Sequence, residues 1–246
     1  MKRMEEKKDL ILQLRQKIRE LEGYSSPQDG RGLSFGLGSM EAAFPDNRFP
    51  VGVTHEFIST KVQEAGAVNG FIAGLLGTFM QKGRFSLWIS HRRTLFPAGL
   101  KRFGVDPHRV IFVDVKREKE VLWAVEQALK CDQLAAVVGE LQEISFADSQ
   151  RLQLAVERSK VTGFLHRYQP RTQHNLACAT RWKIMPIASW LEDHMPGVGF
   201  PAWNVELLKV RNGKPGGWQM EWKDGGFRPI QLPHLITETE KKRHYA

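Results

Sequence analysis

Residues 54–67 read THEFISTKVQEAGA, and this stretch decides what kind of fold the chain can form. Its first five residues, Thr54 to Ile58, are typical of a buried strand, and residues 59–67 predict a connecting loop. A helix is expected next, because apolar residues then recur at helical spacing: Val68, Phe71, Ile72, Leu75, Leu76 and Phe79. A strand, a loop and a helix in this order are the frame on which a phosphate-binding loop is built.

The chemistry of a phosphate-binding loop is nevertheless missing from this frame. Such a loop needs glycines, so that backbone N–H groups can surround the phosphates, and a Lys-Ser/Thr pair for the phosphates and Mg²⁺. The only lysine here, Lys61, is followed by Val62. The sequence therefore predicts that the chain is not an ordinary ATPase.

Composition points to a globular protein with an acidic partner. The 246 residues are 41% hydrophobic and 26% charged, and the formal net charge is +9. This charge favours nucleic acid as a partner, and a generally basic protein without that role is the alternative. The cysteines Cys131 and Cys178 stand apart, which argues against a disulfide framework or a zinc site. Without a membrane-length apolar run or a signal peptide, we expect a cytoplasmic protein associated with the nucleoid.

The amino-terminal region, residues 1–23, is predicted to be a separate amphipathic helix. Its apolar stripe is the candidate protein-interaction surface and consists of Leu10, Leu14, Ile18 and Leu21. Residues 24–32 form a predicted linker, residues 33–232 the core and residues 233–246 a polar tail. An isolated helix of this length is marginal in water, so the stripe must dock, either on its own domain or on another chain.

The core alternates predicted strands and helices, which indicates an α/β fold with a mostly parallel sheet and helices on both faces. The predicted strands are 54–58, 85–89, 110–113, 134–138 and 163–166, with helices at 118–130 and from Ser145 to Ser159. After residue 180 the pattern changes to strands at 181–187 and 203–210, a turn at Asn212-Gly213, and alternating Trp218, Met220 and Trp222. This region predicts an antiparallel hairpin extension of the sheet.

Several segments carry a family resemblance. The approach to the phosphate loop in RecA is resembled by residues 33–44 (LSFGLGSMEAAF) and 49–57 (FPVGVTHEF). A later RecA segment, which precedes the next strand, is resembled by residues 103–110 (FGVDPHRV). Trp182-Lys183 and residues 203–218 (WNVELLKVRNGKPGGW) resemble the ImuA family, the RecA-like members of the ImuA–ImuB mutagenesis cassette. The resemblance covers nearly all of residues 5–230, and the last segment is its most specific part.

This resemblance implies a RecA-like fold and a role as an accessory factor in SOS-induced translesion synthesis. It also implies partners: an ImuB-like Y-family polymerase homologue, through it an error-prone DnaE-type polymerase, and RecA itself. None of these partners follows from composition or periodicity.

The catalytic positions of RecA can be compared with this sequence one at a time. The water-activating Glu of RecA lies just beyond the strand matching 85–89, where this chain reads Ser90-His91-Arg92-Arg93. The Mg²⁺-associated Asp ends the strand matching 134–138, where this chain has Gly139 and then Glu140. We therefore expect no catalytic, cofactor-binding or metal-binding residues, and we expect Glu140 to be a solvated loop charge. His91, His166 and His174 are spaced too irregularly for metal ligands.

The segment from Leu165 to Lys183, here called the basic segment, contains no acidic residue. In RecA the loop at this point of the fold contacts single-stranded DNA. The candidate DNA-binding residues are Arg167, Tyr168, Arg171, His174, Arg181 and Lys183. The basic side chains would neutralise phosphates and Tyr168 would stack on a base, giving weak binding to single-stranded DNA. A solvated loop, or one that contacts an acidic protein surface, is the alternative.

Two other functions stay open from the sequence. One is a divergent NTPase that uses Thr60, Lys61 and Glu140. The other is a cell-division inhibitor of the SulA type, which also resembles RecA without its phosphate loop. The sequence favours a non-catalytic adaptor over both.

Overall fold

The computed structural model describes residues 35–80, 83–92, 95–189 and 199–230, together with Gln13, Leu14 and Lys17, which are helical. The strands are β1 (Thr54–Ser59), β2 (Phe85–Ser90), β3 (Val110–Asp114), β4 (Leu134–Leu141), β5 (Thr162–Tyr168), β6 (Thr180–Pro186), β7 (Ala202–Val210), β8 (Gly216–Lys223) and β9 (Gly226–Pro229). The α-helices are α1 (Val62–Met80), α2 (Glu118–Leu129) and α3 (Phe146–Ser159). Short 3₁₀ helices cover Gly38–Ala43, Pro45–Asn47, Pro97–Phe103 and Pro107–Arg109.

All nine described strands belong to one sheet, in the order β3-β2-β4-β5-β1-β6-β7-β8-β9. The pairs from β3 to β6 are parallel, and the pairs from β6 to β9 are antiparallel. Strand β1 lies in the middle, between β5 and β6, and is buried along its whole length. This confirms the predicted α/β fold with a parallel sheet and an antiparallel carboxyl-terminal extension.

One face of the sheet packs on α1 through an aromatic core. Trp182 is fully buried, and its ring stacks on Phe57 at 5.9 Å between ring centroids. The antiparallel extension adds Trp203, Trp222 and Phe227 to the same core. These rings reach the helix because α1 has no side chain at Gly70, which faces Trp203, or at Gly74, which faces Trp222 and Phe227. Trp203 and Trp222 are therefore packing residues.

The other face of the sheet packs on α2 and α3. The buried residues Val121, Val125 and Leu129 lie at helical spacing along α2, and Leu152 and Val156 do so along α3. Ser145 caps α3, at the predicted start of the helix, by accepting a hydrogen bond from the Asp148 N–H at 3.0 Å. Helices therefore cover both faces of the parallel part of the sheet.

Three parts of the prediction need correction or fall outside the described residues. Helix α1 begins at Val62, so the predicted loop over 59–67 is shorter than expected. Strand β4 continues to Leu141, so Glu140 lies within a strand and not in a loop. The residues of the predicted linker and polar tail, and most of those of the amino-terminal helix, lie outside the described part of the chain. Within the described residues, no helix has the length and apolar character needed to span a membrane.

We expect Gly74→Ala to lower the free energy of unfolding by about 1–3 kcal/mol, the usual cost of overpacking a core. A Cβ atom at Gly74 would lie 2.7 Å from Phe227 Cζ and 2.8 Å from Trp222 Cζ3. The matched control is Gly66→Ala in the same helix, where a Cβ atom meets nothing within 4 Å. Chemical denaturation should show the control unchanged or stabilised by up to about 1 kcal/mol. Equal stability of the two variants would contradict the proposed contact.

Candidate functional site at the carboxyl edge of the sheet

The carboxyl ends of the parallel strands meet at one edge of the sheet, where open α/β folds bind their ligands. In this chain the edge is formed by the ends of β1, β2, β4 and β5 and by the first turn of α1. Three features lie here: the amino terminus of α1, a cavity beside it, and the basic segment.

The carboxylate of Glu64 covers the amino terminus of α1. Its Oε2 atom accepts hydrogen bonds from the Thr60 N–H at 2.7 Å, the Thr60 hydroxyl at 2.8 Å and the Lys61 N–H at 3.3 Å. Free N–H groups and the helix dipole make a helix amino terminus favourable for an anion. Here the anion is the chain's own side chain, and these contacts are the reason that α1 starts before the predicted position.

The ionised form of Glu64 is the stable one. Burial pushes its pKa upward, but the hydrogen bonds from Thr60 and Lys61 and the nearby charge of Lys183 outweigh burial, and the pKa is lowered. A carboxyl group with a depressed pKa stabilises the fold above its unfolded-state pKa, and this contribution is lost as the pH falls. At neutral pH the carboxylate therefore stays on the helix terminus.

A cavity of about 310 Å³ opens beside Glu64 at the same edge. Apolar groups form much of its wall, and polar side chains reach it from four elements. Its lining residues are Val62, Ala65, Gly66, Asn69, His91, Arg92, Glu140, Leu141, Gln142, His166 and Tyr168.

His166 connects Ser59 and Asn69 in the order seen in a hydrolase triad. The Asn69 Oδ1 atom can only accept, so the His166 Nδ1–H donates to it at 2.9 Å, and the Ser59 hydroxyl donates to Nε2 at 2.7 Å. Burial lowers the pKa of His166 to about 3, so the ring cannot take up a proton near neutral pH. Ser59 is itself fully buried. The geometry thus describes a satisfied internal network and not a nucleophile with its base.

Glu140 is also engaged within the fold. Its Oε1 atom accepts a hydrogen bond from the Trp88 Nε1–H at 2.7 Å, across β2 and β4. Across the cavity mouth, the Arg92 guanidinium lies 5.8 Å from the centroid of the Tyr168 ring. Among the described residues, no group of three or more His, Cys, Asp or Glu side chains is placed to hold a metal ion.

The basic segment differs most from its sequence-based interpretation. Arg167 is fully buried, and its Nη1 donates to Glu56 Oε1 at 2.8 Å. Arg181 lies directly opposite Glu56 in β6, and its Nε donates to Glu56 Oε2 at 2.7 Å. Glu56 is 1% exposed, so one buried carboxylate is shared by two arginines from the neighbouring strands. The prediction that Arg167 contacts DNA is wrong, because its guanidinium has no access to a phosphate.

The same arginines hold the loop that follows β5, residues 169–179, here called the covering loop. Arg167 donates to the Thr172 carbonyl at 2.8 Å and Arg181 to the His174 carbonyl at 2.6 Å. Two further cations come from the end of β7. Lys209 donates to the Leu176 carbonyl at 2.8 Å, and Arg211 donates to the Ala177 carbonyl at 3.0 Å. Four basic side chains therefore fix the covering loop against the sheet.

Glu143 closes the network from the β4–α3 connection. Its carboxylate accepts hydrogen bonds from the Arg171 N–H and the Thr172 hydroxyl, and it forms an ion pair with Arg167 at 3.4 Å. The Arg171 N–H, followed by the charge of Arg167, holds the pKa of Glu143 below its ordinary value although burial opposes this. Within the covering loop, Cys178 is buried, which raises the pKa of its thiol to about 12 and makes it unreactive.

Comparison with known proteins identifies the family. No family model matches the chain. Protein ImuA of Caulobacter vibrioides strain NA1000 is 34% identical over 209 residues, which cover 80% of this chain and 86% of that protein. The chain belongs to the ImuA family. The same identity and coverage are found for Protein ImuA of the C. vibrioides strain ATCC 19089.

Two more distant similarities lie around this ImuA-family chain. Cell division inhibitor SulA of Photorhabdus laumondii is 25% identical over 122 residues, covering 50% of this chain and 69% of that protein. The crystal structure of the RadB recombinase superposes with a TM-score of 0.56, 15% sequence identity, and coverage of 81% of this chain and 100% of RadB. At that identity the match to RadB shows the shared RecA-like fold.

Of the six predicted DNA-binding residues in this ImuA-family protein, the structure leaves four at the surface. Arg171 and His174 are exposed, and Tyr168 and Lys183 are half-buried, whereas the Arg181 side chain is only 12% exposed and is paired. The His174 imidazole also bonds to the Ile144 carbonyl, with 3.0 Å between Nε2 and the oxygen.

Sequence reasoning missed Glu56, although an acid inside an apolar strand signals a buried partner of opposite charge.

We expect Arg167→Met to lower the free energy of unfolding by about 3–5 kcal/mol, because it leaves the Glu56 charge in the interior with one partner fewer. The matched control is Arg171→Met, an exposed arginine four residues away whose loss should change stability by less than about 0.5 kcal/mol. Urea denaturation of both variants measures the difference. A loss below about 1 kcal/mol in Arg167→Met would show that the buried cluster does not support the fold.

Proposed function

We propose that this ImuA-family protein is a nucleotide-independent accessory factor in SOS-induced error-prone translesion synthesis. In this role it binds single-stranded DNA and an ImuB-like Y-family polymerase homologue, which links it to an error-prone DnaE-type polymerase, and it contacts RecA. Family membership supports the pathway. The observation that carries nucleotide independence is the Glu64 carboxylate on the amino terminus of α1.

The residues at this edge do not fit a nucleoside triphosphate. A phosphate at the α1 terminus would lie next to the Glu64 carboxylate, and the two negative charges would repel each other. Where RecA has its water-activating acid this chain reads Ser90-His91-Arg92-Arg93, and the position of the Mg²⁺-associated acid is Gly139. The divergent NTPase is disfavoured for the same reason, because Thr60 is bound to Glu64 and Glu140 to Trp88.

We expect the purified protein to show no Mg²⁺-dependent ATP hydrolysis above background and no rise in melting temperature with Mg–ATP. A ligand present at 100 times its Kd would stabilise the fold by about 2.7 kcal/mol, which a thermal melt detects readily. The control is Lys61→Ala, which removes the only lysine of the loop. Turnover or stabilisation that is present in the parent and lost in Lys61→Ala would establish the NTPase instead.

The DNA-binding part of the proposal depends on the cations that the fold leaves accessible. Arg167 and Arg181 stabilise the covering loop, so they are assigned to structure. Arg171 and Lys183 remain from the predicted set, and the exposed Arg92 and Lys61 lie at the same edge. Arg92 lines the cavity and lies over the Tyr168 ring, and a cation beside an aromatic ring suits a single strand whose bases can stack.

We expect replacement of Arg92, Arg171 and Lys183 by Ala to weaken binding of single-stranded DNA and to flatten its log–log salt dependence. Each lost phosphate contact should reduce the slope by about 0.7. The matched control replaces Arg84, Lys130 and Arg158 with Ala, three exposed cations near the opposite ends of the strands, so that the net charge is the same in both variants. Fluorescence anisotropy at several salt concentrations measures both slopes. An equal loss in the two triple variants would mean that only net charge matters.

A SulA-type division inhibitor is the second candidate, because SulA proteins match half of this chain. The ImuA match is preferred because it is stronger and extends over 80% of the chain.

Of the predicted protein-interaction stripe, Leu14 is 51% exposed, and Leu10, Ile18 and Leu21 lie outside the described residues. Capture of FtsZ but not of an ImuB-like polymerase homologue by the purified protein would favour the division inhibitor, and the reverse result would favour the accessory factor.

A further inference from the structure

The cavity beside α1 has the features of a binding site for one planar polar ring. Its volume of about 310 Å³ is at the lower end of the range for small-molecule sites. Val62, Ala65 and Leu141 supply apolar wall, and the Tyr168 ring lies at its mouth. Val62 is 70% exposed, which is unusual for a valine and leaves apolar surface for a ligand to cover.

The polar groups in the wall match the edge of a nucleobase. Asn69 is 8% exposed, and its Oδ1 atom is used by His166. Its Nδ2 atom is the donor of the same amide, and Asn69 lines the cavity. Glu140 brings a carboxylate to the same wall, and each carboxylate oxygen can accept more than one hydrogen bond. A donor and an acceptor together recognise a ring that carries both, as nucleobases do.

The charge around the mouth favours a base that is attached to a phosphate backbone. Arg92 lies over the Tyr168 ring, Arg171 is exposed on the covering loop, and Lys61 is exposed at the start of α1. These cations can follow a strand across the mouth, and Tyr168 offers a face on which a base can stack. An apolar side chain from a protein partner would have no use for the Asn69 donor.

We propose that this cavity binds one unstacked base of a single-stranded nucleic acid. The inference rests on the proposed binding of single-stranded DNA and names the part of the DNA that enters the fold. It gives a role to three residues that line the cavity: Val62, Asn69 and Glu140.

The test fills the cavity without disturbing the fold. Gly66→Leu places a side chain in the cavity, because Gly66 lines it and a Cβ atom there meets nothing within 4 Å. The matched control is Gln63→Leu, an exposed residue in the same helix that does not line the cavity. Gln63→Leu should melt as the parent does, and Gly66→Leu should melt at the same temperature or higher, because leucine favours a helix more than glycine does.

We expect Gly66→Leu to weaken binding of a thymine-rich oligonucleotide carrying one 2-aminopurine by at least about 5-fold, the lower end of the effect of losing one stacked base. The log–log salt slope should stay unchanged, because no phosphate contact is removed. The change in 2-aminopurine fluorescence on binding should disappear in Gly66→Leu and persist in Gln63→Leu.

The other outcomes separate failure of this inference from failure of the proposed function. If the parent does not bind the oligonucleotide at all, both are overturned. If Gly66→Leu binds the oligonucleotide as the parent does, the cavity is not a base site, although DNA binding stands. In that case, melting shifts with free deoxyadenosine that are lost in Gly66→Leu would assign the cavity to a free nucleoside. Loss of polymerase-homologue capture in Gly66→Leu would instead assign it to a protein side chain.

Discussion

The buried carboxylate of Glu56 is the interaction on which the carboxyl edge of this fold depends. It lies in the central strand, and it is held between Arg167 and Arg181 from the two neighbouring strands. Removing charges from water is costly, so such a cluster persists only when hydrogen bonds satisfy the remaining donors. The backbone carbonyls of the covering loop do this here. The arginines hold the covering loop in position through these hydrogen bonds, and the loop carbonyls make the burial of the arginines possible.

The same principle applies at the amino terminus of α1, a few residues away. There the backbone N–H groups need an acceptor, and Glu64 provides it from within the helix. In both places, groups that could bind a ligand are bound instead by other groups of the same chain: the arginines by Glu56, and the N–H groups before α1 by Glu64. The fold shared with RadB is kept, and at the described part of this edge the cavity and Arg92 at its mouth remain open to a ligand. These internal contacts support the proposed nucleotide-independent role.

Hydrophobic patterns were enough to predict most of the strands and helices, because burial on two faces requires apolar runs at fixed spacing. They could not reveal the Glu56 cluster, since Arg167 and Arg181 are 111 and 125 residues from Glu56 in sequence and become its neighbours only through the strand order. For the same reason a count of basic residues in 165–183 overestimated the surface available to DNA. Glu64 was the more accessible clue, because an acid at the third position of a helix often caps the helix terminus.

Amide hydrogen exchange of the unmodified protein tests most directly whether the basic segment serves the fold. The Gln169, Arg171 and Ala177 N–H groups donate to the Ser59 carbonyl, to Glu143 and to the Ser149 hydroxyl. We expect the covering loop to exchange much more slowly than the exposed hairpin turn around Asn212 in the same sample, because its opening must break the buried ion cluster. Exchange of residues 169–179 as fast as that of the hairpin turn would contradict a structural role for Arg167 and Arg181 and return them to the surface as candidate DNA ligands.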